Sequence, residues 1–486
     1  MNIDNEALCD ELHRGIAARE GETLQRVVYR VLRELILAGK LPAQSRLPGS
    51  RELASRLALS RNTLNAALEQ LATEGYLLRN RRGNQVALLP APVDMHAENV
   101  PEIVLPASLG ALPPATRRES PAMIFTPGMP AVNYFPLPLW RRLLDRTMKE
   151  EGCLLLGYGD SAGEWPLRAA IARHLTLSRG IHCAAEQVII TEGALEGLQL
   201  CTQLLSERGQ LAWVEEPGYF GARSAFVSAG LHIEGIPVDD QGMRLPAEPT
   251  VPPALIFTSP SHQFPLGSLM SASRRLALLK FAIEHKCWII EDDYDSEFRY
   301  GSEPIPAMLG MLPQSPVVYL GTFSKTLFPS LRLGFVVMPP ALARAAQPAI
   351  QALLRGGHRA EQRALARFIE DGHYARHLAA MRRLYRNRQQ QLGDALRQTL
   401  TLPYSLSGEK GGMHLTVAID AIDDVRIADE ARRFQMAPAA LSRFYLSPSA
   451  GKTGLVLGYG NTSSSQYIPA LARLNGLITR FQRARE

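Results

Sequence analysis

The sequence predicts an α/β protein in two unequal parts: a small helical head ending in a two-stranded wing, and a larger domain built on a mainly parallel sheet. Three observations carry this expectation. Apolar runs near Val188, Leu211, Leu255, Trp288 and Val317 alternate with helical stretches, the rhythm of strand and crossover helix. Ahead of them, short segments repeat apolar residues at helical spacing. Between the two, Leu89-Pro-Ala-Pro-Val through Leu112-Pro-Pro-Ala-Thr is rich in proline and small residues and lacks sustained periodicity, as a linker does. The boundaries are a head over 20–88, a linker over 89–120 and a large domain over 121–486, whose tail from about Pro348 reads as a long helical stretch and then a small C-terminal α/β subdomain. At 486 residues the chain exceeds one ordinary domain and can bury a large core.

In the head, Leu24, Val31, Leu32, Leu35 and Ile36 recur on one helical face, and Gly39 is a stop signal. Arg46 to Leu57, a short turn, and Ser60 to Leu71 then read as helix, turn, helix. Ser60 can cap the second helix, and Arg61, Asn62, Thr63 and Asn65 occupy its first turns, where a recognition helix meets base edges and phosphates. Gly75 to Ala87 reads as two strands around a basic turn holding Arg79, Arg81 and Arg82. Arginines at 46, 51, 56, 61, 79 and 81 outweigh Glu52, Glu69 and Glu74. A plain three-helix domain with solvated arginines is the bland reading. The sharper one is a winged helix-turn-helix on double-stranded DNA, with Arg51, Ser60, Arg61, Asn62, Thr63, Asn65, Arg81 and Arg82 as contacts. The net charge of +6 permits such a partner without proving one.

In the large domain, Gly321 to Gly334 sets Lys325 inside a turn of small residues, with the hydroxyls of Thr322 and Ser324 beside it and Arg332 at short range. This is what a Schiff-base lysine needs: an amine held against a cofactor aldehyde, with hydroxyls and a guanidinium fork for its phosphate. The run from Cys287 to Glu297 is apolar and ends abruptly in carboxylates, as a buried parallel strand does at the carboxyl edge of a sheet. Asp292 is assigned to a protonated pyridine nitrogen and Tyr294 to the ring hydroxyl. Gly193, Ala194 and Leu195 follow the strand at Val188 and open a helix whose free amides can cradle phosphate. Taken singly, Ser-x-Lys is a weak signal and Asp-Asp-Tyr could be a metal-ligand or capping cluster. His262 and His414 read as loop or core residues, and no paired His/Cys spacing suggests zinc.

These motifs, together with Glu216-Pro-Gly-Tyr219, Tyr158-Gly-Asp-Ser-Ala-Gly163 and Ser259-Pro-Ser-His-Gln-Phe-Pro-Leu-Gly267, resemble the fold-type I aminotransferases, which use pyridoxal 5'-phosphate. The resemblance implies that Tyr219 stacks on the cofactor ring and that Tyr158 reaches the cofactor phosphate of a partner subunit. The head, with Leu-Pro-x-Ser-Arg-x-Leu-Ala, Ser-Arg-Asn-Thr and Glu-Gly-Tyr, resembles the GntR winged-helix family. The fusion is similar to the MocR subgroup of GntR regulators across nearly the whole chain. It implies a transcription factor forming a head-to-tail, domain-swapped homodimer, with DNA binding altered by pyridoxal phosphate or by an amine that reacts with it. That in turn points to control of vitamin B6 or amino-compound metabolism. The chain departs from the enzymes at two positions. Phe264 stands where an asparagine faces the cofactor hydroxyl, leaving Tyr294 to hold that oxygen unaided, and Val456 stands where an arginine binds the substrate carboxylate. The alternative reading is an aminotransferase with a vestigial DNA-binding head, residual turnover being possible.

The sequence shows no basic-then-apolar leader and no apolar run of spanning length, so a cytoplasmic location without a membrane is expected. Cys9, Cys153, Cys183, Cys201 and Cys287 are odd in number and scattered, and read as reduced, mostly buried thiols.

Overall fold

The computed structural model describes residues 4–80, 83–89, 110, 112, 123–246, 251–300, 305–447 and 451–482. They fall into two compact units, Met1–Val104 and Leu105–Glu486. The stretch expected as a linker lies almost wholly outside the described residues, as do the expected DNA contacts Arg81 and Arg82.

The first unit opens with a helix absent from the sequence reading, α1 (Asn5–Ala17), capped by the Asp4 carboxylate, which accepts from the amides of Glu6 and Ala7. It is followed by α2 (Leu24–Leu37), α3 (Ser50–Arg56), α4 (Arg61–Thr73), β1 (Leu77–Asn80) and β2 (Gly83–Val86). Gly39, in the left-handed region at φ +69°, follows the end of α2, as a stop signal should. Leu8 and Leu12 of α1 pack with Val28, Leu32, Leu53, Leu64, Leu68 and Leu77 in one core, so α1 belongs to this unit. The two strands pair antiparallel, Leu77 opposite Val86 and Arg79 opposite Asn84.

In the second unit, α5 (Leu137–Glu151) and α6 (Trp165–Arg179) precede β3 (Val188–Thr191) and α7 (Ala194–Leu205). Then come β4 (Leu211–Glu216), α8 (Phe220–Ser228), β5 (His232–Asp239), β6 (Gly242–Met243), β7 (Leu255–Thr258), α9 (Ala272–His285), β8 (Trp288–Asp293), β9 (Val317–Thr322) and β10 (Gly334–Val337). Among the described residues these strands make one sheet in the order β3-β10-β9-β8-β7-β4-β5-β6. The pairings β9-β8-β7-β4-β5 are parallel, whereas β10 runs antiparallel to both β9 and β3. Because β10 is reversed, its first residue, Gly334, lies opposite Thr191 and Thr322, the last residues of its neighbours. The start of β10 therefore shares an edge with the carboxyl ends of β3, β4, β7, β8 and β9. All six deliver residues there, where a doubly wound sheet places its ligands.

Beyond the sheet come α10 (Pro340–Leu353), α11 (Arg359–Glu370) and the 27-residue α12 (His373–Thr399), which buries Tyr374, Leu378, Met381, Tyr385, Leu392 and Leu396. The subdomain that follows holds β11 (Ser405–Ser407), β12 (His414–Ala418), α13 (Asp424–Ala431), β13 (Ala439–Ala440), β14 (Gly454–Gly458) and α14 (Tyr467–Arg480). Its sheet, in the order β11-β12-β14-β13, is antiparallel throughout. No helix among the described residues is long and apolar enough to cross a membrane. All five cysteines are free thiols, with Cys153 exposed.

Candidate cofactor site and nucleic-acid face

Lys325 follows the end of β9, half-buried, and its Nζ donates to the Gly128 carbonyl at 3.0 Å. Gly128 has φ +70°, and a Cβ there would fall 2.8 Å from Nζ, so the backbone can approach the amine only because no side chain intervenes. Burial lowers the Lys325 pKa against the opposing pull of Asp295 and Asp292. A desolvated amine of this kind is more readily available as a nucleophile at neutral pH.

The end of β8 separates two adjacent carboxylates by the alternation of a strand. Asp293 is satisfied: Arg179 pairs with it at 2.8 Å and the Tyr319 hydroxyl donates to it at 2.5 Å. Asp292, on the opposite face, is 6% exposed, and its Oδ1 is buried without any partner. Burial, with Asp293, Glu215 and Asp295 nearby, pushes its pKa up to about 8, while Lys325 pulls it down. Such a buried oxygen lacks the hydrogen-bond partner that buried polar atoms ordinarily have.

The proposed phosphate residues meet at the same edge. Gly193, at φ +82°, caps α7 and its own amide donates to the Thr191 carbonyl at 2.9 Å, so it is not a free donor. Ala194 and Leu195 occupy the first helical positions, where amides have no partner within the helix. A Cβ on Gly193 would sit 3.8 Å from the Arg332 guanidinium carbon, so this glycine keeps open the space that Arg332 faces. Arg332 is exposed and left-handed at φ +53°, two residues before β10. The Thr322 hydroxyl accepts from the Ser324 amide at 3.2 Å, which tightens the turn before Lys325. Tyr219 is half-buried with its ring stacked near Phe257, and burial together with Asp292 pushes its hydroxyl pKa up to about 12. Tyr158 is 96% exposed and touches none of these residues.

His262 and His414, expected as loop or core residues, both lie in the site. The His262 Nδ1 is 2.9 Å from the Tyr294 hydroxyl and 3.0 Å from each oxygen of Asp295. The Tyr294 hydroxyl thus has a buried partner of its own. The loop carrying His262 is anchored by the buried Glu215, which accepts from Thr258, Ser259 and Gln263. His414 on β12 donates from Nε2 to the Pro265 carbonyl, and burial, with His262 and Lys325 nearby, drives its pKa down to about 3. His262, Asp295 and His414 offer ligand atoms within 4.8 Å of one another. The 3.0 Å contacts, however, are hydrogen-bond distances, shorter than the roughly 3.3 Å between donors around a tetrahedral zinc. Phe264 packs edge-on to Tyr294, and Val456 is fully buried with Leu441 and Phe444.

In the head, the Ser60 Oγ accepts from the Thr63 amide at 3.1 Å and lies 2.8 Å from the Thr63 hydroxyl, so these two side chains serve the cap of α4. Arg51, Arg61 and Asn62 are exposed and Asn65 is half-exposed.

A desolvated amine, a buried acid with an unpartnered oxygen, a helix start beside an arginine and an aromatic flank are what pyridoxal 5'-phosphate requires, and the orphaned Asp292 atom and the open Gly193 cradle fit it. The aminotransferase class I and II family matches residues 131–437, and the bacterial regulatory proteins of the gntR family match residues 24–84. Fold and site thus define a pyridoxal-phosphate-binding, fold-type I domain joined to a GntR winged helix-turn-helix. Within that class, the chain belongs to the MocR group of GntR transcription regulators. It is similar to the probable rhizopine catabolism regulatory protein MocR of Rhizobium meliloti, with 40% identity over 448 residues, 90% of each chain. It also resembles the pyridoxine biosynthesis transcriptional regulator PdxR of Corynebacterium glutamicum, with 32% identity over 92% of this chain and 94% of that one. Among solved structures it resembles the kynurenine aminotransferase of Pyrococcus horikoshii, with a TM-score of 0.68 and 27% identity over 74% of this chain and 91% of that one.

Proposed function

We propose that this regulator binds its operator differently according to the occupant of the Lys325 site, which is either pyridoxal 5'-phosphate or an amine that reacts with it. The cofactor supplies an electrophilic carbon and an electron-withdrawing ring. Lys325 offers the amine, Asp292 keeps a proton on the ring nitrogen, and Tyr294 meets the ring hydroxyl. Ala194, Leu195, Thr322, Ser324 and Arg332 hold the phosphate, Gly193 leaves it room, and Tyr219 covers one ring face. The exposed Tyr158 completes the phosphate site of a second copy in a head-to-tail homodimer. Arg51, Arg61, Asn62 and Asn65, with Arg81 and Arg82 of the wing, contact DNA, while Ser60 and Thr63 fix the start of the recognition helix. The protein works in the cytoplasm.

The observation that carries the reading is the unpaired Asp292 carboxylate in the same buried site as Lys325. Val456 supports regulation over turnover. An α-carboxylate arriving there meets Leu441 and Phe444 rather than a guanidinium, losing charge-assisted hydrogen bonds worth about 1.5–3 kcal/mol each. The effector is accordingly the vitamin or an amine without such a group, and the genes controlled serve vitamin B6 or amino-compound metabolism. The test is operator affinity in cofactor-free, cofactor-loaded and amine-treated protein. Equal affinities in all three states refute ligand control, and repeated turnover of an amino donor to keto acid establishes the aminotransferase alternative.

A further inference from the structure

Behind Tyr294 lies a buried arrangement that the functional reading does not use. His262 is 6% exposed and Asp295 is 2% exposed. The imidazole is held in a slot cut by glycines: a Cβ on Gly412 would fall 2.0 Å from the His262 Cε1, and one on Gly267 would fall 2.9 Å from Nε2. Both glycines are at positive φ, +80° and +71°. The slot turns Nδ1 toward Tyr294 and Asp295 and leaves Nε2 buried with no partner.

With Asp295 ionised, its oxygens only accept, so His262 Nδ1, 3.0 Å from both of them, carries a proton and donates. Tyr294, 2.9 Å from the same nitrogen, can then only accept from it. Its own hydrogen is free to point away from the pair. Burial raises Asp295 above the ordinary carboxylate range and His262 pulls it back. The other charged or titratable groups facing this cluster are Asp292 and Asp293 on β8, Glu215 on β4, Lys325 after β9, His414 on β12, and the phenols of Tyr300 and Tyr459.

We propose that His262 and Asp295 are positioning residues that hold the Tyr294 hydroxyl hydrogen toward the cofactor's ring oxygen, and thereby set the pH at which the loaded protein changes its absorbance. The pair does the work that an asparagine at position 264 does in the enzymes this domain resembles. This inference rests on the cofactor reading. A donor on the ring oxygen favours the state in which that oxygen is anionic and the neighbouring proton is gone, so it lowers the midpoint, and losing the donor raises it.

The experiment is a pH titration of the visible absorbance of the full-length protein loaded with pyridoxal 5'-phosphate. Tyr294→Phe should raise the midpoint by about 1–2 pH units, the range for one hydrogen bond to a charged group. His262→Phe should raise it by a similar amount, Asp295→Asn should shift it in the same direction, and His262→Gln, which keeps an N–H donor, should restore most of the shift. The double variant Tyr294→Phe/His262→Phe should match Tyr294→Phe alone, since the pair acts through that hydroxyl. Midpoints unchanged in both His262→Phe and Asp295→Asn beside a shifted Tyr294→Phe overturn the proposal, as does additivity in the double variant. Failure of the unaltered protein to form any visible band with the cofactor, or any borohydride-reducible adduct at Lys325, overturns the cofactor reading and this proposal together.

Discussion

Without its cofactor, the domain should become less stable as pH rises, and Asp292 should be the cause. Its carboxyl is buried, has an unpartnered oxygen and is pushed up to about 8, against about 3.9 for an unfolded aspartate. Between those values the folded state holds a proton that the unfolded state has released, so stability falls with rising pH; the loss begins above the unfolded pKa and is complete once pH passes the folded one. At about 1.36 kcal/mol per unit, the interval from pH 6 to 8 removes roughly 2 kcal/mol. The unfolding entropy of a domain this large is on the order of 0.8 kcal/mol/K, so the melting temperature should drop by about 2–3 °C. In the proposed arrangement the protonated ring nitrogen of bound pyridoxal 5'-phosphate donates to Asp292, so the loaded protein should lose this slope. Asp292→Asn, neutral at every pH, should lose it in the cofactor-free form. The assay is thermal unfolding of the unaltered and Asp292→Asn proteins, each empty and loaded, at pH 6, 7 and 8. The same slope in empty protein with and without the Asp292 carboxyl would refute the reasoning.

Other expectations concern the remaining residues. Lys325→Ala should abolish the visible absorbance of the cofactor-loaded protein, and a persisting band would remove the amine from its assigned role. Arg332→Ala should weaken pyridoxal 5'-phosphate binding roughly 10- to 100-fold by equilibrium titration, as loss of a charge-assisted contact requires, while leaving pyridoxal binding unchanged. Operator affinity should fall steeply with salt, and Arg61→Ala should reduce the log–log slope by about 0.9; an unaltered slope would mean that this side chain touches no phosphate. Ser60→Ala should cost the head about 1 kcal/mol in denaturant unfolding, because the Thr63 amide loses its acceptor.

What the sequence revealed was local. The turn around Lys325, the carboxylates ending β8 and the capped α4 each depend on residues close together in the chain, where spacing alone indicates structure. The features missed depend on distant segments meeting. His262 and Asp295 are 33 positions apart and come together because β7 and β8 are parallel neighbours, a relation that neither segment announces. His262 alone is indistinguishable from an ordinary loop histidine, and the glycines that admit its ring lie at 267 and 412. The reversed β10 escaped for a related reason. Four apolar residues carry no direction, yet the reversal is what brings Arg332 to the edge where the parallel strands end. For the adjacent Asp292 and Asp293 the motif singles out the first, and the pairing of Asp293 with Arg179 and Tyr319 supplies the physical distinction between them. For α1, a short amphipathic stretch ahead of the expected head, membership became evident only from Leu8 and Leu12 inside the core.

The closed packing around Val456 also works as an evolutionary ratchet. Restoring arginine there in a single step would place a cation against Leu441 and Phe444 in a spot with no access to water, at a cost of several kcal/mol before any substrate could repay it. An arginine could be accommodated there only after changes at Leu441 or Phe444 had loosened that packing.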